Sequence, residues 1–340
     1  MLAQDLANAT PAKIGLALGI YSLAQAVLQI PAGALSDIIG RKKVLYAGLI
    51  LFLLGSLLAT LTDNIDLLIV ARLLQGMGAV SAVCLAYVGD SIRGSEHGKA
   101  MMIIGLSIAA AFVLAFFFGA MVGHWWGLSG LFALMTLLSV VALGCAYALP
   151  PPQQQRSAFV AKTFYSLLKQ GNLWVVTGQI GLLHLILSAS FFLFPLLLAD
   201  GLPNANTALI YVLPLFGALL MVAPLARNRD RGVASLPWFW GVFTIALALT
   251  PVLPTFQFTA VFIGVLWLFF SGFTLIETLL PARLLQLTDP ATRGTSSGIF
   301  SVFQFSGNFL GALLGAKCYA TLSASGTIVS AFYLLAILAL

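Results

Sequence analysis

Charged side chains are scarce in this sequence. Only 8% of its 340 residues are Asp, Glu, Lys or Arg, whereas 61% are hydrophobic. A soluble domain carries roughly 25% charged residues, and a surface with so few charges must face lipid rather than water. The composition therefore excludes an ordinary soluble protein and predicts an integral membrane protein.

Several signatures of other protein classes are also missing. The three cysteines, Cys84, Cys145 and Cys318, form no Cys-x-x-Cys or Cys/His spacing, which argues against disulfide frameworks and zinc sites. No Gly-x4-Gly-Lys-Ser/Thr pattern for ATP binding occurs, and residues 1–13 lack the regions of a signal peptide. We expect no metal, no cofactor and no membrane-embedded enzyme.

Long apolar runs recur along the whole chain. A membrane-spanning helix needs about 20 mostly apolar residues, and eleven segments meet this criterion. They are 14–35, 44–62, 65–88, 99–122, 128–148, 173–198, 206–226, 233–250, 257–280, 295–316 and 325–340. The sequence thus predicts an all-α membrane protein with many spans.

The basic residues indicate the orientation of these spans. Lys and Arg concentrate in alternate loops, while the opposite loops contain only Lys317, and Lys13 precedes the first span on that side. Basic loops stay in the cytoplasm, so the first set is predicted to be cytoplasmic. The spread of these residues also argues against nucleic-acid binding, despite the net charge of +6. Because the N-terminus would lie outside, we expect a missing first helix and a truncated last helix.

One polar connection divides the predicted spans. Residues 149–172 are rich in Pro and Gln and include basic residues, which is typical of a cytoplasmic linker. We therefore predict an N-terminal helical half at 1–148 and a C-terminal helical half at 173–340. Counting the missing helix, each half would contain six spans.

The two halves resemble each other weakly at their glycines. A segment from Asp90 to Arg93 precedes a span with Gly119 and Gly123, and a similar acidic and basic segment precedes a span with three glycines at four-residue spacing: Gly307, Gly311 and Gly315. Such glycines let helix backbones approach closely, and duplicated halves are typical of transporters whose site lies between them. The alternative is that two glycine-rich spans resemble each other by chance.

The segment from Gly33 to Lys43, GALSDIIGRKK, carries the most specific motif. It resembles the G-x-L-[SA]-D-x-x-G-[RK]-[RK] signature of the major facilitator superfamily. Gly40 permits a tight turn between helices, and Asp37 ends a helix. The resemblance implies a latch that holds the outward-open state, formed by Gly33, Asp37, Gly40, Arg41 and Lys42. A plain basic turn is the alternative.

A second motif, RLLQGMGA, begins at Arg72. It resembles the R-x-x-Q-G-x-G pattern of the drug:proton antiporter branch of that superfamily. A charge inside an apolar run costs several kcal/mol unless it meets partners or water. The resemblance implies a proton relay through Arg72 and Gln75, and we assign Gly76 and Gly78 to helix packing. A purely structural Arg72 is the alternative.

Polar residues in the first predicted span share one helical face. Tyr21, Gln25 and Gln29 are spaced by four residues, and such a stripe should avoid lipid. We predict that Tyr21 and Gln25 line a substrate cavity. Hydrogen bonding between helices without substrate is the alternative.

In the C-terminal half, segments around His184 and from Gln304 to Gly311 resemble the YajR-type inner-membrane transporters of the same branch. Gln304 and Asn308 share a face and are assigned to the cavity. His184 can exchange protons near neutral pH and is assigned to coupling, unless it only bonds neighbouring helices.

Three further residues at predicted span ends carry charge. Asp90 and Arg93 join the coupling candidates. Glu277 is interpreted as one member of a helix-end ion pair with Arg283, or as a gate residue.

The function implied by these resemblances is secondary active transport by alternating access in a major facilitator fold. We predict proton-coupled efflux of a small lipophilic or weakly cationic, drug-like solute by a monomer in a bacterial inner membrane. The expected partners are the solute, protons and lipid. A non-transporting scaffold or subunit of a membrane complex is the alternative.

Overall fold

The computed structural model is built from helices throughout the part of the chain that it describes. This part comprises residues 6–78, 80–91, 97–150, 169–201, 207–226, 234–252, 259–288, 293–322 and 328–339. The helices are α1 (Pro11–Ile39), α2 (Arg41–Leu61), α3 (Ile65–Met77), α4 (Ser81–Ser91), α5 (His97–Ala148), α6 (Gly171–Gly201), α7 (Thr207–Ala226), α8 (Leu236–Leu249), α9 (Thr259–Leu287), α10 (Arg293–Leu322) and α11 (Ile328–Ala339).

Each of the eleven predicted spans overlaps one or more of these helices. Within the described residues, seven segments are long and apolar enough to cross a membrane. They are Ala12–Gly33, Arg41–Leu61, Ile65–Cys84, Met121–Ala148, Gly171–Pro195, Thr259–Leu284 and Ser296–Cys318. The apolar segments Ile210–Met221 and Leu236–Leu249 are shorter.

The predicted span 65–88 is interrupted near its middle. Helix α3 ends at Met77, and Gly78 caps it by donating its N–H to the carbonyl of Gln75 at 3.1 Å. Helix α4 begins at Ser81, where the Gln29 side chain accepts from the N–H of Ala82 at 3.1 Å. The two glycines of this segment lower its helix propensity, and Gln29 supplies the cap that a new helix requires.

Helix α5 joins two predicted spans, 99–122 and 128–148. Gly127 interrupts its helical geometry with φ 63° and ψ −156°, a conformation that favours glycine. An unbroken helix of this length would extend about 78 Å, far beyond a hydrocarbon layer of about 30 Å. The interruption at Gly127 lies between the two predicted spans.

Contacts between helices show their relative directions. Helices α1 and α3 run parallel, because Arg72 bonds to Ala17 and Gly76 packs on Tyr21 four residues later. Helices α6 and α10 are also parallel. Helices α1 and α10 are antiparallel, since Gly19 packs on Phe309 and Gly298 lies near Ile30. An alternating order of spans requires these three relations.

The largest buried apolar cluster lies among α6 to α11, and two smaller ones lie within residues 6–149. Aromatic rings dominate the larger cluster. Phe194 packs against Phe269, Phe332 and Tyr211, with ring centroids 5.1, 5.5 and 6.4 Å apart.

Candidate functional site

Three polar side chains from three helices meet inside the C-terminal part of the chain. His184 of α6, Glu277 of α9 and Gln304 of α10 form what we call the C-terminal cluster. The Gln304 amide nitrogen lies 3.0 Å from His184 Nε2 and donates to Glu277 Oε1 at 3.0 Å. His184 lies about 20 Å along α6 from Gly171, and Glu277 and Gln304 lie about 15 Å from Leu287 and Arg293 on their helices. All three residues are therefore well inside their helices.

The hydrogen bonds of His184 define its tautomer. His184 Nδ1 lies 3.1 Å from the carbonyl oxygen of Ile180, which can only accept, so Nδ1 carries the proton. In the neutral imidazole, His184 Nε2 has a lone pair and accepts from the Gln304 amide. Glu277 Oε2 is 3.6 Å from Nε2 and has no hydrogen-bond partner among the described residues. One carboxylate oxygen is therefore left beside an imidazole nitrogen.

The structure corrects the interpretation of Glu277. Sequence reasoning favoured an ion pair with Arg283 at a helix end, but Glu277 contacts Gln304 and His184 instead, and Arg283 is exposed. Helix α9 continues past Pro281 to Leu287, so Glu277 lies well inside it. One signal would have found this residue: it is the only acidic residue in the apolar run of α9.

Asn308, one turn after Gln304, contacts α6 as well. Ser188 Oγ donates to Asn308 Oδ1 at 2.7 Å. The ring of Phe273 stands edge-on to His184, with centroids 5.7 Å apart. Gln304 and Asn308, which sequence reasoning assigned to a cavity, therefore both bond to α6.

The packing glycines of α10 explain how these side chains meet. A side-chain carbon on Gly307 would overlap the carbonyl oxygen of Gly181, and one on Gly311 would overlap that of Leu185. One on Gly315 would lie 3.0 Å from the backbone of Ala189. The backbones of α6 and α10 thus touch along two turns, which brings His184 and Gln304 within hydrogen-bonding distance.

The other predicted packing glycines differ from one another. Gly76 packs on the backbone of Tyr21, and Gly78 lies close to the backbone of Gly48. A side-chain carbon on Gly119 would meet no described atom within 4 Å, whereas Gly123 is buried. Close backbone approach is therefore seen at Gly76 and Gly78, and not at Gly119 within the described residues.

A second polar group, the N-terminal cluster, consists of Tyr21, Arg72 and Gln75. Arg72 Nε donates to the carbonyl of Ala17 at 3.2 Å, and Arg72 Nη1 donates to Gln75 Oε1 at 2.7 Å. The guanidinium carbon lies 4.4 Å from the centroid of the Tyr21 ring, a cation–π contact. Gln75 is fully buried and donates to Ser56 Oγ at 2.8 Å.

The rest of the polar stripe of α1 is also buried. Gln25 donates to the hydroxyl of Tyr21 at 2.9 Å, which connects it to the N-terminal cluster. Gln29 donates to Ser81 Oγ at 2.6 Å and caps α4. The stripe avoids the surface, and Gln29 takes the interhelical role that was the alternative for it.

The turn between α1 and α2 contains the predicted latch. Gly40 has φ 104° and ψ 139°, which favours glycine. Arg41 Nη1 donates to Ser36 Oγ at 2.6 Å and to the carbonyl of Gly33 at 3.5 Å. Arg41 thereby contacts the end of the preceding helix.

Lys42 has partners that the sequence did not indicate. Its Nζ donates to the carbonyls of Tyr147 and Leu149 at 3.0 and 2.7 Å, at the end of α5. A cation is stabilising at this end of a helix. The Asp37 and Asp90 side chains and all of Arg93 lie outside the described residues, so their roles stay predictions.

Comparisons with known proteins identify the family. A model of the Major Facilitator Superfamily matches residues 1–312. The chain is 34% identical to the inner membrane transport protein YajR of Escherichia coli, over 91% of this chain and 70% of YajR. It is 24% identical to the multidrug resistance protein MdtH of Proteus mirabilis, over 84% of this chain and 72% of that relative.

A solved structure shows the same fold. The human organic anion transporter MFSD10 (TETRAN) superposes with a TM-score of 0.72 at 18% identity, covering 96% of this chain and 83% of that one. The seven segments of the described residues that are long and apolar enough to cross a membrane agree with these matches. The chain belongs to the major facilitator superfamily, whose members are multi-pass membrane transporters of small molecules rather than enzymes.

Proposed function

We propose that this protein couples a proton gradient to the export of a small lipophilic, drug-like solute. The helical halves at 1–148 and 173–340, joined by the linker at 149–172, would alternate access to a site between them. The protein would act as a monomer in a bacterial inner membrane. The name of the similar multidrug resistance protein supports a drug-like solute, and that of YajR supports the membrane.

The C-terminal cluster is the observation that carries this proposal. The Glu277 side chain is only 26% exposed, and an ionised carboxylate in such surroundings is costly unless fully hydrogen-bonded. Because Glu277 Oε2 has no partner among the described residues, a proton can bind there without breaking a bond. His184 Nε2, 3.6 Å away, is a second site for the same proton.

Proton exchange at Glu277 would alter the contacts between helices. A neutral carboxyl group can donate a hydrogen bond to His184 Nε2 in place of the Gln304 amide, whereas the carboxylate only accepts from Gln304. The two protonation states thus favour different arrangements of α9 against α6 and α10. Such differential contact is what a proton needs in order to shift a conformational equilibrium.

Flux measurements in proteoliposomes test the proposal. Purified full-length protein is reconstituted, a pH gradient is imposed, and efflux of a panel of neutral and charged fluorescent dyes is followed. We expect gradient-driven flux for at least one dye. Flux that is unchanged when the gradient is collapsed would contradict proton coupling, and no flux of any dye would contradict export.

A matched pair of variants locates the coupling. Glu277→Gln keeps the size of the side chain but cannot exchange a proton, and we expect its gradient-driven flux to fall to that of protein-free liposomes. Asp66→Asn is the control, because Asp66 pairs with Lys13 at a helix end. Gradient-driven flux in Glu277→Gln equal to wild type would remove the cluster from the mechanism.

The latch is a separate part of the proposal. Asp37→Asn should impair transport while membrane insertion stays normal, because a carboxylate at this turn would interact with a helix N-terminus in one state only. Wild-type flux in Asp37→Asn would show that the latch role is wrong.

A further inference from the structure

We propose that the ring of Phe273 shields the C-terminal cluster from water on the outer side of the membrane. The inference rests on the proposed proton coupling at Glu277. It adds a residue that keeps protons from crossing the membrane when no solute moves. Phe273 exchanges no proton itself and acts through the residues that it covers.

Phe273 and Glu277 lie one turn apart on the same face of α9, and both contact His184. The ring centroids of Phe273 and His184 are 5.7 Å apart, with the ring planes at 67°. Aromatic pairs prefer this edge-to-face arrangement. Glu277 Oε2 lies 3.6 Å from His184 Nε2. Phe273 therefore covers the imidazole directly beside the carboxylate.

Ring contacts show that α6 and α9 are antiparallel. His184 meets Phe273. Phe194, which comes later in α6, meets Phe269, which comes earlier in α9. Since α6 begins beside the predicted cytoplasmic linker, the residues that precede Glu277 in α9 lie toward the outer side. Phe273 is about 6 Å nearer to that side than Glu277.

Buried aromatic rings continue outward from Phe273. Phe269 packs against Phe270, with centroids 5.2 Å apart, and Phe270 lies 6.4 Å from Phe191 of α6. Phe269 and Phe270 are fully buried, and Phe273 is 7% exposed. Helices α7 and α8, which also pack against α9, contain no charged residue. Along this face of α9, a proton from the outer side would meet aromatic rings rather than hydrogen-bonding groups.

The outward position between α6 and α10 is occupied by a polar pair. Ser188 and Asn308 lie one turn beyond His184 and Gln304, and Ser188 Oγ donates to Asn308 Oδ1 at 2.7 Å. This hydrogen bond joins α6 to α10 on the outer side of the cluster. Phe273 covers the side that belongs to α9.

The contact between the two halves is also tighter toward the outer side. A side-chain carbon on Gly15 would lie 2.7 Å from that of Ala316, whereas one on Gly298 would lie 3.6 Å from Ile30. Gly15 and Ala316 occupy the outer ends of the antiparallel helices α1 and α10, and the other pair lies nearer the cytoplasm. The helices therefore diverge toward the cytoplasm, so the outer side is the one that a shield must keep closed in this conformation.

Coupled export requires that the cluster exchange protons with one side of the membrane at a time. If water reached Glu277 from both sides, protons would run down their gradient without moving solute. Exclusion of water from a reacting group prevents proton leakage of this kind. The contact with His184 places the Phe273 ring where it can exclude that water.

Proton permeability without solute tests the inference. Full-length protein is reconstituted in liposomes loaded with a pH-sensitive dye, a pH gradient is imposed, and its decay is followed. We expect Phe273→Ala to speed the decay several-fold over wild type. Phe273→Leu, which keeps most of the apolar volume, should stay near wild type. Phe273→Ala combined with Glu277→Gln should also be as tight as wild type, because the leaking proton passes through Glu277.

Phe300→Ala is the matched control. Phe300 is 6% exposed and lies one turn before Gln304 on α10, on the cytoplasmic side of the cluster. Its loss removes a similar volume but leaves the outer side closed, so the gradient should decay as in wild type. Equal leaks in Phe300→Ala and Phe273→Ala would overturn the proposal. A leak that persists when Glu277→Gln is added to Phe273→Ala would overturn it too.

Thiol labelling measures the shielding directly and requires no leak. The three native cysteines are replaced by serine, Glu277→Cys is introduced, and right-side-out membrane vesicles are exposed to a membrane-impermeant cationic thiosulfonate. We expect Phe273→Ala to raise the labelling rate several-fold and Phe300→Ala to leave it unchanged. Phe273→Val, a smaller truncation, serves the same comparison where Phe273→Ala folds poorly. Equal labelling rates with and without the Phe273 ring would overturn the proposal.

The two proposals fail in different ways. A tight Phe273→Ala variant, together with gradient-driven flux in the wild type, would reject the shield alone. Gradient-driven flux that survives Glu277→Gln would reject proton coupling at Glu277, whereas faster thiol labelling in Phe273→Ala would still support the shield.

Discussion

The N-terminal and C-terminal clusters are both built around a glutamine, and they use it in opposite ways. Gln75 turns its oxygen toward the cation Arg72 and its nitrogen toward Ser56. Gln304 turns its nitrogen toward Glu277 and His184. The first arrangement fixes a permanent charge, whereas the second leaves a carboxylate oxygen open beside an imidazole. In the proposed mechanism, the same type of side chain thus holds a fixed charge in one half of the molecule and a proton-exchanging group in the other.

Replacing Gln75 in the N-terminal cluster should have the largest effect on stability. Gln75→Leu would leave Arg72 Nη1 and Ser56 Oγ without their buried partner. We expect a loss of about 3 kcal/mol in the free energy of unfolding, because one stranded group is charged. Thermal unfolding of the purified protein in detergent measures this loss.

Gln75→Glu is the matched variant, since it keeps an acceptor for Arg72 and should retain more stability than Gln75→Leu. Equal stability of Gln75→Leu and wild type would show that Gln75 does not hold Arg72.

The backbone contact between α6 and α10, which lies next to the C-terminal cluster, can be broken on its own. Gly311→Ala places a methyl group against the carbonyl of Leu185, which cannot move without separating α6 from α10. We expect a loss of about 1–3 kcal/mol, measured by thermal unfolding.

Gly119→Ala is the control, because its new methyl group meets no described atom within 4 Å. This variant should be neutral, or more stable by up to about 1 kcal/mol through helix propensity. Similar losses of stability in both variants would mean that the close contact of Gly311 with Leu185 does not explain the effect of Gly311→Ala.

Replacing Gln304 in the C-terminal cluster should affect function more than stability. Gln304→Leu removes the amide that contacts both His184 and one oxygen of partly exposed Glu277, so we expect a loss of about 1 kcal/mol. Gradient-driven flux should fall severely, because α9 loses its bond to α10. Normal flux with normal pH dependence would place Gln304 outside the mechanism.

The smallest effect concerns Lys42, which lies outside both clusters. Lys42→Ala removes the cation at the end of α5, and we expect a loss of about 0.5 kcal/mol. Lys43→Ala is the control, because Lys43 is exposed. Thermal unfolding compares the two variants, and a larger loss for Lys43→Ala would contradict the capping role.

The sequence predicted the helices well because apolar length is a local property. It missed the interruption after Met77, since the cap on α4 comes from Gln29, which lies about 50 residues earlier in the chain. It placed Glu277 at a helix end because the apolar run was read as stopping near Pro281. The partners of His184 and Gln304 could not be predicted. Helical periodicity predicts on which face of its helix a residue lies, but not which residue of a neighbouring helix it contacts.

The backbone contact between α6 and α10 has a mechanical consequence. No layer of side chains separates the two helices at Gly307 and Gly311, so their backbones pack in direct contact, and we expect the two helices to move together as one body. His184 and Gln304 both belong to that body, whereas Glu277 sits on α9. During an inward-to-outward change, we therefore expect the carboxylate to travel relative to a stationary imidazole–amide pair, which makes the Glu277 contact the one that opens and closes.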